Sequence, residues 1–168
     1  YQDETDIIIN PILMEEMSGQ RVVPETGGGW SWTQLRQINY FLENSYHCED
    51  KEVLAHYNGL ARFFRAYFYF EKVKRFGDVP WYDQVIGSAD KDLLHKPRDS
   101  RKYVMEKVLE DLDFAIANLR ETKEVYRISK WTALALKSRI MLFEGTFRKY
   151  HAGSAFVPQD TETYGDVT

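Results

Sequence analysis

The sequence predicts an all-α fold, built as stacked helical hairpins of the tetratricopeptide-like type with long irregular connectors. Three observations predict it. Four segments carry apolar residues at helical spacing, bounded by capping residues, Gly or Pro. The longest of them carries two adjacent apolar stripes, which means that neighbours contact it from more than one side. An apolar cluster leading into Phe-Glu also occurs twice, at Phe70–Glu71 and Phe143–Glu144. Each copy would be the second helix of a pair, although the 34-residue tetratricopeptide period and its consensus are not matched.

The elements follow in order. Residues 1–32 are an irregular segment, with an apolar run at Ile7–Ile9, a short helical turn over Pro11–Met17 and a loop from Gly19 to Gly29 that ends in three consecutive glycines. The first helix covers Thr33–Tyr46, with Leu35, Ile38, Leu42 and Ser45 on one face and Ser31 or Thr33 as cap. The second runs from Lys51 to Phe76. One stripe is Leu54, Tyr57, Ala61, Phe64 and Phe68, the other Leu60, Phe63, Tyr67 and Phe70. At about 1.5 Å per residue it is close to 40 Å long. Gly77 ends it in a backbone conformation that favours glycine, and Pro80 prevents its resumption. Residues 77–99 are a connector. The third helix starts after Asp99 or Ser100 and reaches Leu119, with Val104, Val108, Leu112, Ala115, Ile116 and Leu119 as its apolar face. The fourth covers Lys130–Lys149, capped by Ser129, with Ala133, Leu136, Ile140, Phe143 and Phe147 together. Three regions result: 1–32, a helical-repeat region of two pairs over 33–150, and a polar tail or loop over 151–168.

Composition excludes several classes. A net charge of −4 lacks the basic excess of a nucleic-acid footprint. The one cysteine, Cys48, rules out an internal disulfide framework. No apolar run approaches the ~20 residues of a membrane-spanning helix; the longest, near Leu60–Phe70, is interrupted by Arg62 and Arg65. No signal peptide is recognisable, and the opening Tyr1–Gln2–Asp3 reads as that of a processed or truncated chain. His47, His56, His95 and His151 have no metal-ligand spacing, and no phosphate-binding Gly motif exists, so neither metal nor cofactor is expected. Glu110, Asp111 and Asp113 are what a charged helix face carries, so no catalytic residue is assigned.

Four segments in sequence resemble the SusD/RagB family: WTQLRQINYFL from Trp32 to Leu42; FRAYFYFEKVKRFGDVP from Phe64 to Pro80; PRDSRKYVMEKVLEDLDFAIANL from Pro97 to Leu119; and SKWTALALKSRIMLFEGTFRKY from Ser129 to Tyr150. The family's members are considerably longer, so this chain resembles the N-terminal part of one. The resemblance implies a non-catalytic, lipid-anchored protein on the extracellular face of the outer membrane. Such a protein captures glycans, oligo- or polysaccharide, and works with a SusC-like TonB-dependent transporter. The anchor would lie outside this chain, since Cys48 is too deep within it to be the lipidated residue. A peptide-capturing relative, or a helical-repeat adaptor for a protein partner, is the alternative.

Sugar binding needs flat apolar rings for C–H faces and polar groups for hydroxyls. Trp30, Trp32, Trp81 and Tyr82, in loops or at a helix entrance, are the candidate ligand contacts. Trp131 and Trp32 begin helices and suit a packing role as well. Asn39, Arg65, Gly77, Asp78, Pro80 and Arg139 are expected to be structural. Asn39 would bond a neighbouring helix or connector backbone. Arg65 and Arg139, within apolar faces, would pair with Glu71, Asp78, Asp111 or Glu144.

Overall fold

The structure is a computed structural model that describes residues 18–19, 22 and 25–157. The run at Ile7–Ile9 and the turn at Pro11–Met17 lie outside the described residues. The chain divides into two compact units, Tyr1–Trp32 and Thr33–Thr168.

In the first unit, the three glycines each adopt positive φ: 80° at Gly27, 53° at Gly28 and 83° at Gly29. Side chains are strained in that region, which explains the glycine run. The Trp30 N–H closes the loop on the Gly27 carbonyl at 2.8 Å.

The second unit is helical. Helix α1 is Thr33–Asn44 and passes through a 3-10 turn at Ser45–His47 into α2, Lys51–Phe76. A single helical turn, Lys91–Leu94, interrupts the connector before α3, Arg101–Asn118, and α4, Lys130–His151. The Asp50 carboxylate caps α2 by accepting from Glu52 N and Val53 N at 2.9 and 3.1 Å. Gly77 ends α2 at φ 70°, its N–H returning to the Val73 carbonyl. Ser100 caps α3 by accepting from Tyr103 N at 3.3 Å. Asp99, the other expected cap, instead turns back to the connector.

The most extensive packing is between α2 and α3, which lie antiparallel. Gly59 faces Asn118 and Leu119 at one end. Arg65 meets Asp111 in the middle, and Val79 pairs with Asp99 in an isolated antiparallel bridge at the other end. A Cβ on Gly59 would sit 3.3 Å from Asn118 Cβ, so the helices approach closely there because the side chain is missing. The core between them is Ala66, Tyr69, Phe70 and Val73 against Val104, Met105, Val108, Leu112 and Ala115. Burying each large aliphatic chain contributes roughly 1.5–3 kcal/mol. Helix α4 adds Ala133 and Ile140, and its Phe143 ring meets Phe70 edge to face at 5.3 Å. Each helix thus packs on its neighbours in the chain, as stacked hairpins require, and the tightest pair spans the connector.

Two expectations need correction. The two stripes proposed for α2 are not both covered: Tyr57, Phe64 and Tyr67 are exposed, while Arg65, Ala66, Tyr69 and Val73 are buried. Both faces are rich in aromatics, so composition could not tell them apart. Arg139 is exposed rather than buried and paired, because α4 presents Leu134, Ser138, Arg139 and Leu142 away from α3.

Candidate functional site

The connector after Gly77 is held by side chains reaching out from the helices. Asn39, almost fully buried on α1, donates from Nδ2 to the carbonyls of Tyr82 and Gln84 at 3.0 and 3.1 Å. Glu43 Oε1 accepts from Val85 N at 2.5 Å, and Arg36 donates to the Ile86 carbonyl. Tyr69 of α2 accepts from Tyr82 N at 2.6 Å, and its hydroxyl lies 3.3 Å from the carbonyls of Pro80 and Tyr82. Burial pushes the Tyr69 phenol well above its usual pKa, so it remains a donor throughout the physiological range. From the far side Asp99 accepts from Trp81 N at 2.7 Å while pairing with Lys96. Between Pro80 and Ile86, where the connector has no regular structure, these backbone amides and carbonyls are thus bonded by side chains.

A second buried network lies beneath. Arg65 donates from Nε and Nη2 to the two oxygens of Asp111 at 2.6 and 2.8 Å, and from Nη1 to Asn39 Oδ1 at 3.3 Å. Asn39 therefore ties α1, α2, α3 and the connector together, its carbonyl oxygen serving Arg65 and its amide serving the connector. Near the other end of α3, Arg101 grips Glu144 of α4, with Nη2 2.6 Å from Oε2. Its guanidinium carbon lies 3.7 Å from the Phe147 ring centroid. Arg148 shares the same carboxylate at 2.7 Å. Asp78, expected to be structural, accepts from Arg101 N at 2.8 Å and so fixes the start of α3.

The four candidate ligand contacts are placed differently. Trp30 and Trp32 meet edge to face at 5.1 Å in the first unit, with Trp30 39% exposed. Tyr82 is half-buried, its hydroxyl donating to the Leu93 carbonyl at 2.9 Å. Trp81 is a core residue at 6% exposure, stacked 4.3 Å from Tyr69 with the Arg65 guanidinium 5.2 Å from its ring. Pro80 is buried beside it, since the connector here folds inward over α2. Trp131 is partly exposed and braces the link before α4, donating from Nε1 to the Glu121 carbonyl at 3.1 Å.

Sequence reasoning missed Arg36, Glu43, Tyr69 and Arg101 as polar anchors. Arg36 and Glu43 flank Asn39 at helical spacing, a signal that could have found them. Glu110 and Asp113 are each engaged in a surface pair, with Lys107 and Lys137. Among the described residues no group of three His, Cys, Asp or Glu side chains could hold a metal ion, and no helix is long and apolar enough to cross a membrane. At the opposite end of α3 from the link to α4, a cleft of about 400 Å³ opens between the end of α2, the start of α3 and the end of α4.

A family model described as "Starch-binding associating with outer membrane", of the SusD-like group, matches residues 30–142. The chain belongs to the SusD-like family. SusD-like protein P38 of Formosa agariphila is 32% identical over 87 residues, covering 52% of this chain and 17% of that protein. The crystal structure of a SusD-like protein from Bacteroides fragilis superposes with a TM-score of 0.60 at 32% identity, over 68% of this chain and 23% of that one. A laminarin-binding SusD-like protein superposes with a TM-score of 0.62 at 20% identity, over 72% of this chain and 27% of that one. A structure with xylogluco-oligosaccharide does so at 0.64 and 20% identity, over 76% and 26%. The last two share the SusD-like fold. The chain spans less than a third of the length of each of these relatives.

Proposed function

We propose that this chain is part of a cell-surface protein that captures glycans by binding alone, without turnover, and passes them to a TonB-dependent outer-membrane transporter. A lipid anchor outside the chain would hold it at the membrane. The observation that carries the reading is the match of residues 30–142 to a family described as starch-binding and associated with the outer membrane. A laminarin-binding relative and one with a bound xylogluco-oligosaccharide, both with this fold, support a saccharide ligand.

Trp30 is the ring best suited to stack on a sugar: it is exposed, and Trp32 braces it from the edge. Tyr82, half-buried on the connector, is a separate candidate contact. Trp32 supports Trp30 by packing, and Trp81 packs on Tyr69 in the core.

Calorimetric titration of the full chain with laminarin, xyloglucan and starch oligosaccharides tests the reading. Binding of at least one is expected, with no release of reducing ends. Trp30→Ala should weaken it about tenfold or more, the usual loss when a stacking tryptophan is truncated. Absence of binding to every saccharide would overturn the glycan reading and favour peptide capture. Affinity purification from outer-membrane fractions should recover a TonB-dependent transporter; recovery of cytosolic proteins alone would reject the partnership.

A further inference from the structure

We infer that two copies of this chain pair antiparallel through the outward face of α2. The inference goes beyond the glycan-binding reading and does not depend on it. Helix α2 turns Ala66, Tyr69 and Val73 to α3, and Phe70 to Phe143 of α4. Its opposite side carries Val53, Tyr57, Leu60, Phe64 and Tyr67. Tyr57, Phe64 and Tyr67 are between 42 and 47% exposed, while Val53 and Leu60 are half-buried. Apolar residues exposed in line over several turns mark an interaction surface rather than chance exposure.

The spacing identifies the partner. The stripe advances by alternate steps of four and three residues, which is the seam that a second helix packs into. Glu71 extends it by one more step of four. From Val53 to Glu71 the steps then read the same in either direction. A two-fold axis between copies therefore sets Leu60 of one against Phe64 of the other, Tyr57 against Tyr67, and Val53 against Glu71. The stripe complements itself, as the face of a two-fold dimer must.

The charges select the antiparallel sense. The chain enters α2 through exposed Glu49 and Glu52, with Asp50 as cap, and α2 ends in exposed Lys74 and Arg75. Lys74 is held by Glu71 of the same helix at 2.6 Å. In the register above, Glu49 of each copy meets Arg75 of the other, so one new ion pair closes each end of the seam. A parallel pair would set acidic start on acidic start and basic end on basic end, which opposes association. Because the same face serves both copies, pairing stops at two.

The test is sedimentation velocity of the full chain over a dilution series. Wild type should pass from monomer to dimer as concentration rises. Phe64→Glu puts a charge into the stripe and should raise the dissociation constant about tenfold or more. Leu142→Glu, on the exposed face of α4, should leave it unchanged. Glu49→Lys and Arg75→Glu, made singly, should each raise it about threefold or more, since like charges then meet at both ends. Combined in one chain, they restore opposite charges and should return it toward the wild-type value. Both substitutions oppose the dipole of α2, so a merely structural effect would accumulate in the double variant instead of cancelling. A thermal melt of each variant checks folding. Four results would each overturn the inference: wild type that stays monomeric throughout, a dimer indifferent to Phe64→Glu, a dimer abolished by Leu142→Glu, or a double variant that pairs more weakly than either single one. A monomer throughout would mean that the stripe is covered by something other than a second copy.

Discussion

Asp111 is nearly fully buried and receives two bonds from Arg65, with Arg62 3.9 Å away as a second cation. Removing one partner of such a pair leaves an uncompensated charge in the interior. Asp111→Ala is expected to cost about 3–5 kcal/mol in urea-induced unfolding. Replacing both partners by apolar residues, Arg65→Met with Asp111→Leu, should recover much of that loss, because desolvation of the two ions disappears together. Equal destabilisation in the single and double variants would show that geometry, not charge, is what the pair supplies. The need for a partner at Arg65 was legible in the sequence, since an arginine within an apolar helical face must be neutralised. Its partner was one of four acidic candidates, because the register between two separate helices is a property of packing. Arg101 escaped notice for a different reason. It follows the Ser100 cap directly, where the first helical turn usually meets solvent, and only the approach of Glu144 and Phe147 from α4 makes it a buried residue.

The connector from Gly77 to Asp99 is the element whose stability depends most on single side chains. Tyr69→Phe removes the acceptor for Tyr82 N and a donor for the Pro80 and Tyr82 carbonyls. A loss of about 1–3 kcal/mol is expected from the stranded groups. Hydrogen exchange should locate it, with the Tyr82 amide losing protection while amides of α4 keep theirs. Another element-scale contact responds to pH. His56 on α2 accepts from Arg120 N at 3.4 Å, through Nδ1, in the link between α3 and α4. Burial lowers its pKa from 6.5, and Arg120 and Arg127 lower it further. A histidine with a depressed folded pKa stabilises the fold in its neutral form. Its contribution is complete above the unfolded value and is lost as pH falls through the folded one. The melting temperature should therefore drop on acidification below pH 6.5, and His56→Gln should reduce the slope; an identical slope would remove His56 from the explanation. Helix positions were legible because caps and the Gly77–Pro80 stop are local chemistry. The side of α2 that is covered was not, since Tyr57, Phe64 and Tyr67 repeat at the same period as the residues that are buried.

At the scale of the whole molecule, the apolar surface left outside the helical unit sets its solution behaviour. Helix α4 exposes Trp131, Leu134 and Leu142, the last at 63%. Large apolar side chains exposed along one helix promote association. Leu142→Glu should reduce light scattering of concentrated protein without lowering the melting temperature; a lower melting temperature would mean that Leu142 packs within the unit. The all-α class, the stacking of sequence neighbours and the family were legible from the sequence. The candidate ligand contacts were less so: Trp30 and Trp81 are alike as letters, and only the inward path of the connector makes one an exposed ring and the other part of the core. That path has an evolutionary consequence. The helices grip the connector by its amides and carbonyls, which every residue type except proline offers in full. The outward side chains, such as exposed Asp83 and Gln84, are not what holds it in place. A lineage can therefore rewrite those positions one at a time, changing what the surface displays while the underlying framework and its folding remain the same.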